Sequence, residues 1–581
     1  MYELTIWLLI ITVLGPLLLP LLLWRPAWRE GVLRLAPAAA LPALLLALFG
    51  IEGATLPLPW LFLGAELALD ATGRIFLLLA AWLWLIAAWC AADYLAHDRR
   101  GHLFLLFFLP AMAGNFGLII AQDLISFNVF FSLMGLSAYG LVIHHRDPAA
   151  LRAGRIYLAL VVLGEVLIFT GLAGLVWQTG GVVELVALQG LAGLPVPLVA
   201  CLLLGFGIKA GMVPLHFWLP LAHPAAPIPA SAVLSGVMIK AGLLGWLRFL
   251  PGDGAPPELG SLCIVLGLVA AGYGALRGLT RDDPKTVLAW SSISQMGLLT
   301  MGLGLFLDGG AAREPALAAI QLFAVHHGLA KGALFLAVGV GGRIKWSEPL
   351  LAAAVLLPAL SLAGAPLTSG FAAKNLLLEA AAGRELIPPL LSVSSLLTAL
   401  LMLHFLRRLQ ALGQGKKESA ALANGGRLLP LAILAVSGLP LLWSLLPGLG
   451  ELTARLPSTG GAKIGAALLP IILALTLAGV AGRLRIRPRK RDERPQVDAP
   501  GIGLGIGLIP HDRLAGLVRW WQRHRGQRQN LQAAGEFRRR RWLAQWRQRG
   551  RLAQQAPTPW PLAGVCSLGL IILFFLLLRV A

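Results

Sequence analysis

Four lysines stand where a membrane helix would carry apolar residues. Lys209, Lys240 and Lys331 lie inside apolar runs, and Lys374 lies at a break in one. An ammonium group in hydrocarbon costs about 2.5–3.5 kcal/mol on insertion scales, so such a residue marks a polar path. The whole chain holds ten lysines against 38 arginines. Arginine serves wherever a fixed cation is enough, because it does not give up its proton; a buried lysine does. Lysine at these four positions is the choice a proton relay requires. The plainer alternative is a lysine paired with a carboxylate for packing.

Other groups fit the same chemistry. His327 and Lys331 are four residues apart and share a helix face. Histidine titrates near neutrality and can hand a proton on. The adjacent His326 points about 100° away and reads as a packing or water-contact residue. Glu165 is the one acid of the run L-A-L-V-V-L-G-E-V-L-I-F-T-G, near mid-membrane by count. Pro214, Pro220, Pro224, Pro227 and Pro229 break the connection between the Lys209 and Lys240 runs, and His216 and His223 lie among them as candidate water contacts. Pro366, with Gly364 and Gly370, makes a second break. Broken backbone at membrane depth is tolerated only where protein or water satisfies the freed polar groups.

The elements that position these residues follow from composition. The 581 residues are 57% hydrophobic and 13% charged, which excludes a soluble globule. Four single cysteines with no C-x-x-C supply no iron–sulfur or zinc ligand set, so no metal or cofactor is expected. Apolar runs predict an all-α polytopic bundle of about 16 spans of roughly 20 residues. Spans 7 and 12 are the broken ones. The first run, Leu4–Trp24, lacks a basic leader and reads as a retained span. Basic loops on every second connection put those loops in the cytoplasm and both termini outside the plasma membrane.

The organisation expected is N-terminal spans over 1–100, a translocating core over 101–410, C-terminal spans over 411–482, a basic region over 483–560 and a final anchor over 561–581. The basic region mixes arginines with Trp520, Trp521, Trp542 and Trp546. That pattern suits a cytoplasmic helix on anionic lipid headgroups or neighbouring subunits. Nucleic acid is excluded as a partner by the spans on either side. The glycine run P-G-I-G-L-G-I-G-L-I-P lacks dinucleotide-binding spacing.

The stretch K-A-G-M-V-P-L-H-F-W-L-P-L-A-H-P-A-A-P, followed by S-A-V-L-S-G-V-M-I-K-A-G, resembles the signature of the antiporter-like membrane subunits. These occur in respiratory complex I, in formate hydrogenlyase-type hydrogenases and in Mrp cation/proton antiporters. The resemblance covers about Leu69–Leu406 well. It implies that Lys209 is the central lysine of the seventh span, that Lys240, His327 and Lys331 follow in a relay, and that Lys374 is the exit residue. It also implies a lateral helix before the last span.

One departure matters. The family's W-E-L-M-S-L-S-S-Y appears here as F-S-L-M-G-L-S-A-Y over Phe131–Tyr139, with Ser132 in the glutamate's place. A serine supplies no charge. Glu165 is therefore expected to replace that glutamate and pair with Lys209. The function implied is proton translocation, with cation exchange as an extension, by one subunit of a complex I-like, hydrogenase-like or Mrp-like assembly. The chain has no catalytic chemistry of its own; enzyme status would come from redox partners. The alternatives are a solute or inorganic-carbon uptake subunit on the same fold, and a non-conducting structural subunit.

Overall fold

The computed structural model describes residues 1–483 except 63, 97, 186–192, 252–255, 340–348, 414–427 and 440–460. The region read as a surface helix and the final anchor lie outside the described residues. The described helices belong to one unit, Met1–Ile486. It is an all-α multi-pass bundle, and among the described residues 12 helices are long and apolar enough to cross a membrane.

The first six helical runs are α1 (Tyr2–Trp24), α2 (Pro26–Phe49), α3 (Ala71–Tyr94), α4 (Gly101–Ile120), α5 (Leu124–Val142) and α6 (Pro148–Gln178). A small antiparallel hairpin, β1 (Thr55–Leu58) with β2 (Ala65–Ala68), separates α2 from α3. The starts are written in the sequence. Asp70, Asp123 and Asp147 each accept a hydrogen bond from the backbone N–H three residues on, which caps α3, α5 and α6.

The seventh run is divided. α7 (Val196–Ala210) stops at Gly211, whose φ of 75° is left-handed backbone that glycine adopts without strain. A 3-10 turn over Leu215–Trp218 follows, then α8 (Leu219–Ala225) and α9 (Ile228–Val233). Pro214, Pro220, Pro227 and Pro229 sit at the starts of these short pieces, where a missing N–H costs least, and Pro224 lies inside α8 near its end. A π-helical turn over Leu234–Met238 joins α9 to α10 (Lys240–Phe249).

Then come α11 (Pro257–Leu279), α12 (Pro284–Leu307) and α13 (Arg313–Val338). The expected twelfth span is two helices, α14 (Pro349–Ala363) and α15 (Ser369–Ala380). Gly364 at φ 85° and Leu367 at φ 65° make the turn between them. α16 (Ile387–Gly413), α17 (Leu428–Ser437) and α18 (Gly461–Arg483) complete the unit.

Burial sorts these helices. α13 is enclosed on all sides, whereas α6 and α18 turn broad apolar faces outward. A helix that is apolar all round belongs inside a bundle or against lipid. Arg248 on α10 is fully enclosed and ties the bundle together. It donates to the carbonyls of Leu118, Ile119 and Ala121 at the end of α4 and pairs with the capping Asp70. Those carbonyls are the ones a helix C-terminus leaves without partners.

Candidate ion-translocation site

Lys209, in the last turn of α7, is 3% exposed. Its Nζ donates to the Tyr157 hydroxyl at 3.4 Å, and that hydroxyl donates to the Gly135 carbonyl at 2.9 Å. The ammonium also lies 6.0 Å from the centre of the Phe131 ring and 5.8 Å from that of Tyr157, within cation–π range.

Glu165 arrives from α6. Its Oε2 accepts a 2.5 Å hydrogen bond from the Ser132 hydroxyl on α5. Its Oε1 is buried without a partner. A Cβ placed on Gly135 would stand 3.3 Å from Glu165 Oε1 and 3.9 Å from Lys209 Nζ. The two tips therefore lie no more than about 7.2 Å apart, both within 4 Å of where a side chain at 135 would begin. Phe131, Gly164, Gly205, Ile208 and Trp218 close a small cavity around both. Its volume for a water centre is about 10 Å³, room for one molecule. Ser132 thus holds the Glu165 carboxylate in position.

The other lysines are solvated by backbone. Lys240 Nζ donates to the Ser235 carbonyl at 2.8 Å. That carbonyl belongs to the π-helical turn, where α-helical pairing is disturbed and an acceptor is released. Lys331 on α13 donates to the Leu288 carbonyl at 2.7 Å and to the Ser291 hydroxyl, both on α12. Lys374 on α15 donates to the carbonyls of Leu362 (3.3 Å) and Ala363 (3.0 Å) and to the Ser395 hydroxyl (3.0 Å). Those carbonyls close α14, the negative end of its dipole. Among the described residues, none of the four lysines is in an ion pair.

The histidines divide differently from their sequence pattern. His327 is fully buried and its two ring nitrogens have no partner. His326 is the partnered one: Nδ1 lies 3.1 Å from both Ser361 Oγ and Ser369 Oγ. His216 rests among Phe217, Tyr273 and Trp290, and His223 stacks on Phe335 at 4.7 Å. All four of their ring nitrogens are buried without partners. Neither is hydrogen-bonded to Lys209.

Sequence reading passed over Tyr157, Ser291, Ser361, Ser369 and Ser395. Hydroxyls are common in membrane helices, and only their tertiary neighbours distinguish these.

The fold and these buried groups define a polytopic membrane protein with an interrupted, polar interior. Residues 121–401 match the family model described as NADH:quinone oxidoreductase/Mrp antiporter, transmembrane. Over this segment the chain is similar to the antiporter-like membrane subunit family. It is 31% identical over 339 residues to hydrogenase-4 component B of Escherichia coli, covering 54% of this chain and 50% of that protein. It is 31% identical over 358 residues to the putative antiporter subunit mnhA2 of Staphylococcus saprophyticus, covering 55% and 44%. The chain thus spans about half the length of the curated relatives it matches. In fold it resembles the Mrp complex of Dietzia, with a TM-score of 0.69 at 24% identity over 90% of this chain and 59% of that one.

Proposed function

We propose that the chain is a proton-translocating membrane subunit of a larger complex, working through Glu165, Lys209, Lys240, His327, Lys331 and Lys374. The observation that carries this reading is the set of four buried lysines bonded to carbonyls and hydroxyls with, among the described residues, no carboxylate in ion-pair contact. A permanently paired structural lysine would need its counter-charge, because an unmatched buried charge costs several kcal/mol. A lysine bonded only to neutral acceptors can exist with or without its proton.

The interrupted helices support the same reading. The break after α14 offers the carbonyls of Leu362 and Ala363 to Lys374, a feature tolerated at membrane depth where it lines a polar route. In this reading about 16 spans are present over the full chain, with the basic loops cytoplasmic. Sodium is the candidate exchange ion, and the basic region after Arg483 lies on anionic headgroups or on a neighbouring subunit. The relatives' printed names, hydrogenase-4 component B and putative antiporter subunit, place them in complexes of two kinds. Redox-active partners would make this chain the proton module of a redox pump; metal-free membrane partners would make it an antiporter subunit.

The test begins with the tagged full chain extracted in mild detergent with its co-purifying subunits. Mass spectrometry and iron and nickel analysis identify the class of complex. The assembly is then placed in liposomes holding a pH-sensitive dye, under a potassium diffusion potential. Proton flux that is lost in Lys209→Ala and in Lys209→Arg is expected. Flux unchanged in Lys209→Arg sinks the reading, since arginine keeps its proton.

A further inference from the structure

Three hydroxyl and imidazole groups meet at the second break. Ser361, two residues before the end of α14, and Ser369, the first residue of α15, lie 3.0 Å apart through their Oγ atoms. Each is 3.1 Å from His326 Nδ1 on α13. All three residues are buried. The Gly370 N–H donates to Ser361 Oγ at 3.2 Å, which leaves the hydroxyl proton of Ser361 to its two partners. His326 Nε2 faces the interior with no partner.

The close approach is specific to this site. A Cβ on Gly370 would stand 1.7 Å from the Ser361 carbonyl and 2.9 Å from His326 Cε1. Glycine alone lets α13, α14 and α15 meet here. Beside the serines lies a cavity lined by Ala330, Ser361, Thr368 and Ser369, with room for about one water. The same break holds Lys374, through the carbonyls of Leu362 and Ala363.

We propose that His326, through Ser361 and Ser369, is the positioned relay that carries protons from the α13 lysine to the Lys374 break. The proposal rests on the proton-translocating reading. His327 keeps its place in the relay on the side toward Lys240, and His326 serves the step toward Lys374. A proton taken up at Nε2 makes the ring cationic. Release from Nδ1 passes a proton to one serine oxygen as that serine gives its own to the second serine or to water. The ring is left neutral as the other tautomer, and reorientation of ring and hydroxyls resets it. No proton is created or lost. The ionisable groups whose fields reach the ring are Lys374 on α15, Lys240 at the start of α10, and His327 on its own helix; Lys331 lies one turn further on.

The test uses the full chain with its co-purifying subunits in dye-loaded liposomes, over a pH series in H₂O and D₂O. His326→Gln keeps a polar group of similar size, and Ser361→Ala with Ser369→Ala leaves the imidazole in place. A single sharp peak in size-exclusion chromatography sets the folded variants apart. The expected result is a loss of at least tenfold in proton flux in both, with a changed pH profile and a smaller solvent isotope effect. His326→Gln with wild-type flux, pH profile and isotope effect overturns the relay while leaving the proposed function standing. A misfolded His326→Gln leaves the serine variant to decide on the same readouts. Wild-type liposomes that move no protons overturn the function itself, and the relay with it.

Discussion

Replacing Glu165 with glutamine tests the proposed role of the buried α6 carboxylate most directly. Glu165→Gln preserves shape and one acceptor for Ser132 but removes the charge. The tips of Glu165 and Lys209 are separated by at most about 7.2 Å. Two unit charges at that distance in an effective dielectric of about 20 interact by roughly 2 kcal/mol. Expressed fully in the barrier to moving the proton on and off Lys209, this is about a 30-fold change in flux. The assay is potential-driven proton flux in liposomes, with the folded fraction checked by chromatography. The double exchange Ser132→Glu with Glu165→Ser carries the charge back to α5, on the other side of the same 2.5 Å contact. It is expected to recover most of the lost flux. Glu165→Gln within twofold of wild type refutes the coupling of Glu165 to Lys209. Loss in Glu165→Gln without recovery in the exchange shows that the α6 position, not merely the charge, is required.

Further outcomes follow from single contacts. Gly135→Ala places a methyl 3.3 Å from Glu165 Oε1 and 3.9 Å from Lys209 Nζ; proton flux is expected to fall at least tenfold with thermal stability little changed. Gly370→Ala, with its methyl 1.7 Å from the Ser361 carbonyl, is expected to prevent close seating of α14 on α15 and to lower the melting temperature measured in detergent. Arg248→Ala leaves three helix-end carbonyls of α4 without donors and is expected to cost several kcal/mol, read as loss of monodisperse protein. The loop carboxylate Asp98 gives a pH test. Burial pushes its carboxyl up, but bonds from His144 at 2.8 Å and from the Arg100 N–H bring it below the usual aspartate range. A carboxyl lowered on folding stabilises the protein above its unfolded value, about 3.9, and that contribution is lost as pH falls through the lower folded value. Melting temperature should therefore drop on acidification below about pH 4, and Asp98→Asn should flatten that slope.

The amino-acid sequence alone determined the class of fold. Apolar runs of membrane length, separated by short polar loops, leave few options besides helices, because hydrocarbon offers no partners to open backbone. Helix starts were equally local: Asp70 and Asp147 cap by bonds to residues three positions away. The lysines at 209, 240, 331 and 374 announced themselves because a buried ammonium is costly and rare. Glu165 stood out for the same reason.

What each of these charges faces was decided only by tertiary packing. Ser132 looked like a loss, yet it binds the carboxylate supplied by α6. His327 matched the helical spacing to Lys331, while the hydrogen bonds went to its neighbour His326. Spacing along one helix fixes the direction of a side chain but not what another helix places opposite it. At the second break the partners come from α14 and α15, brought close by Gly370. Such an approach depends on an absent side chain, and one glycine among 67 carries no mark of it in the sequence.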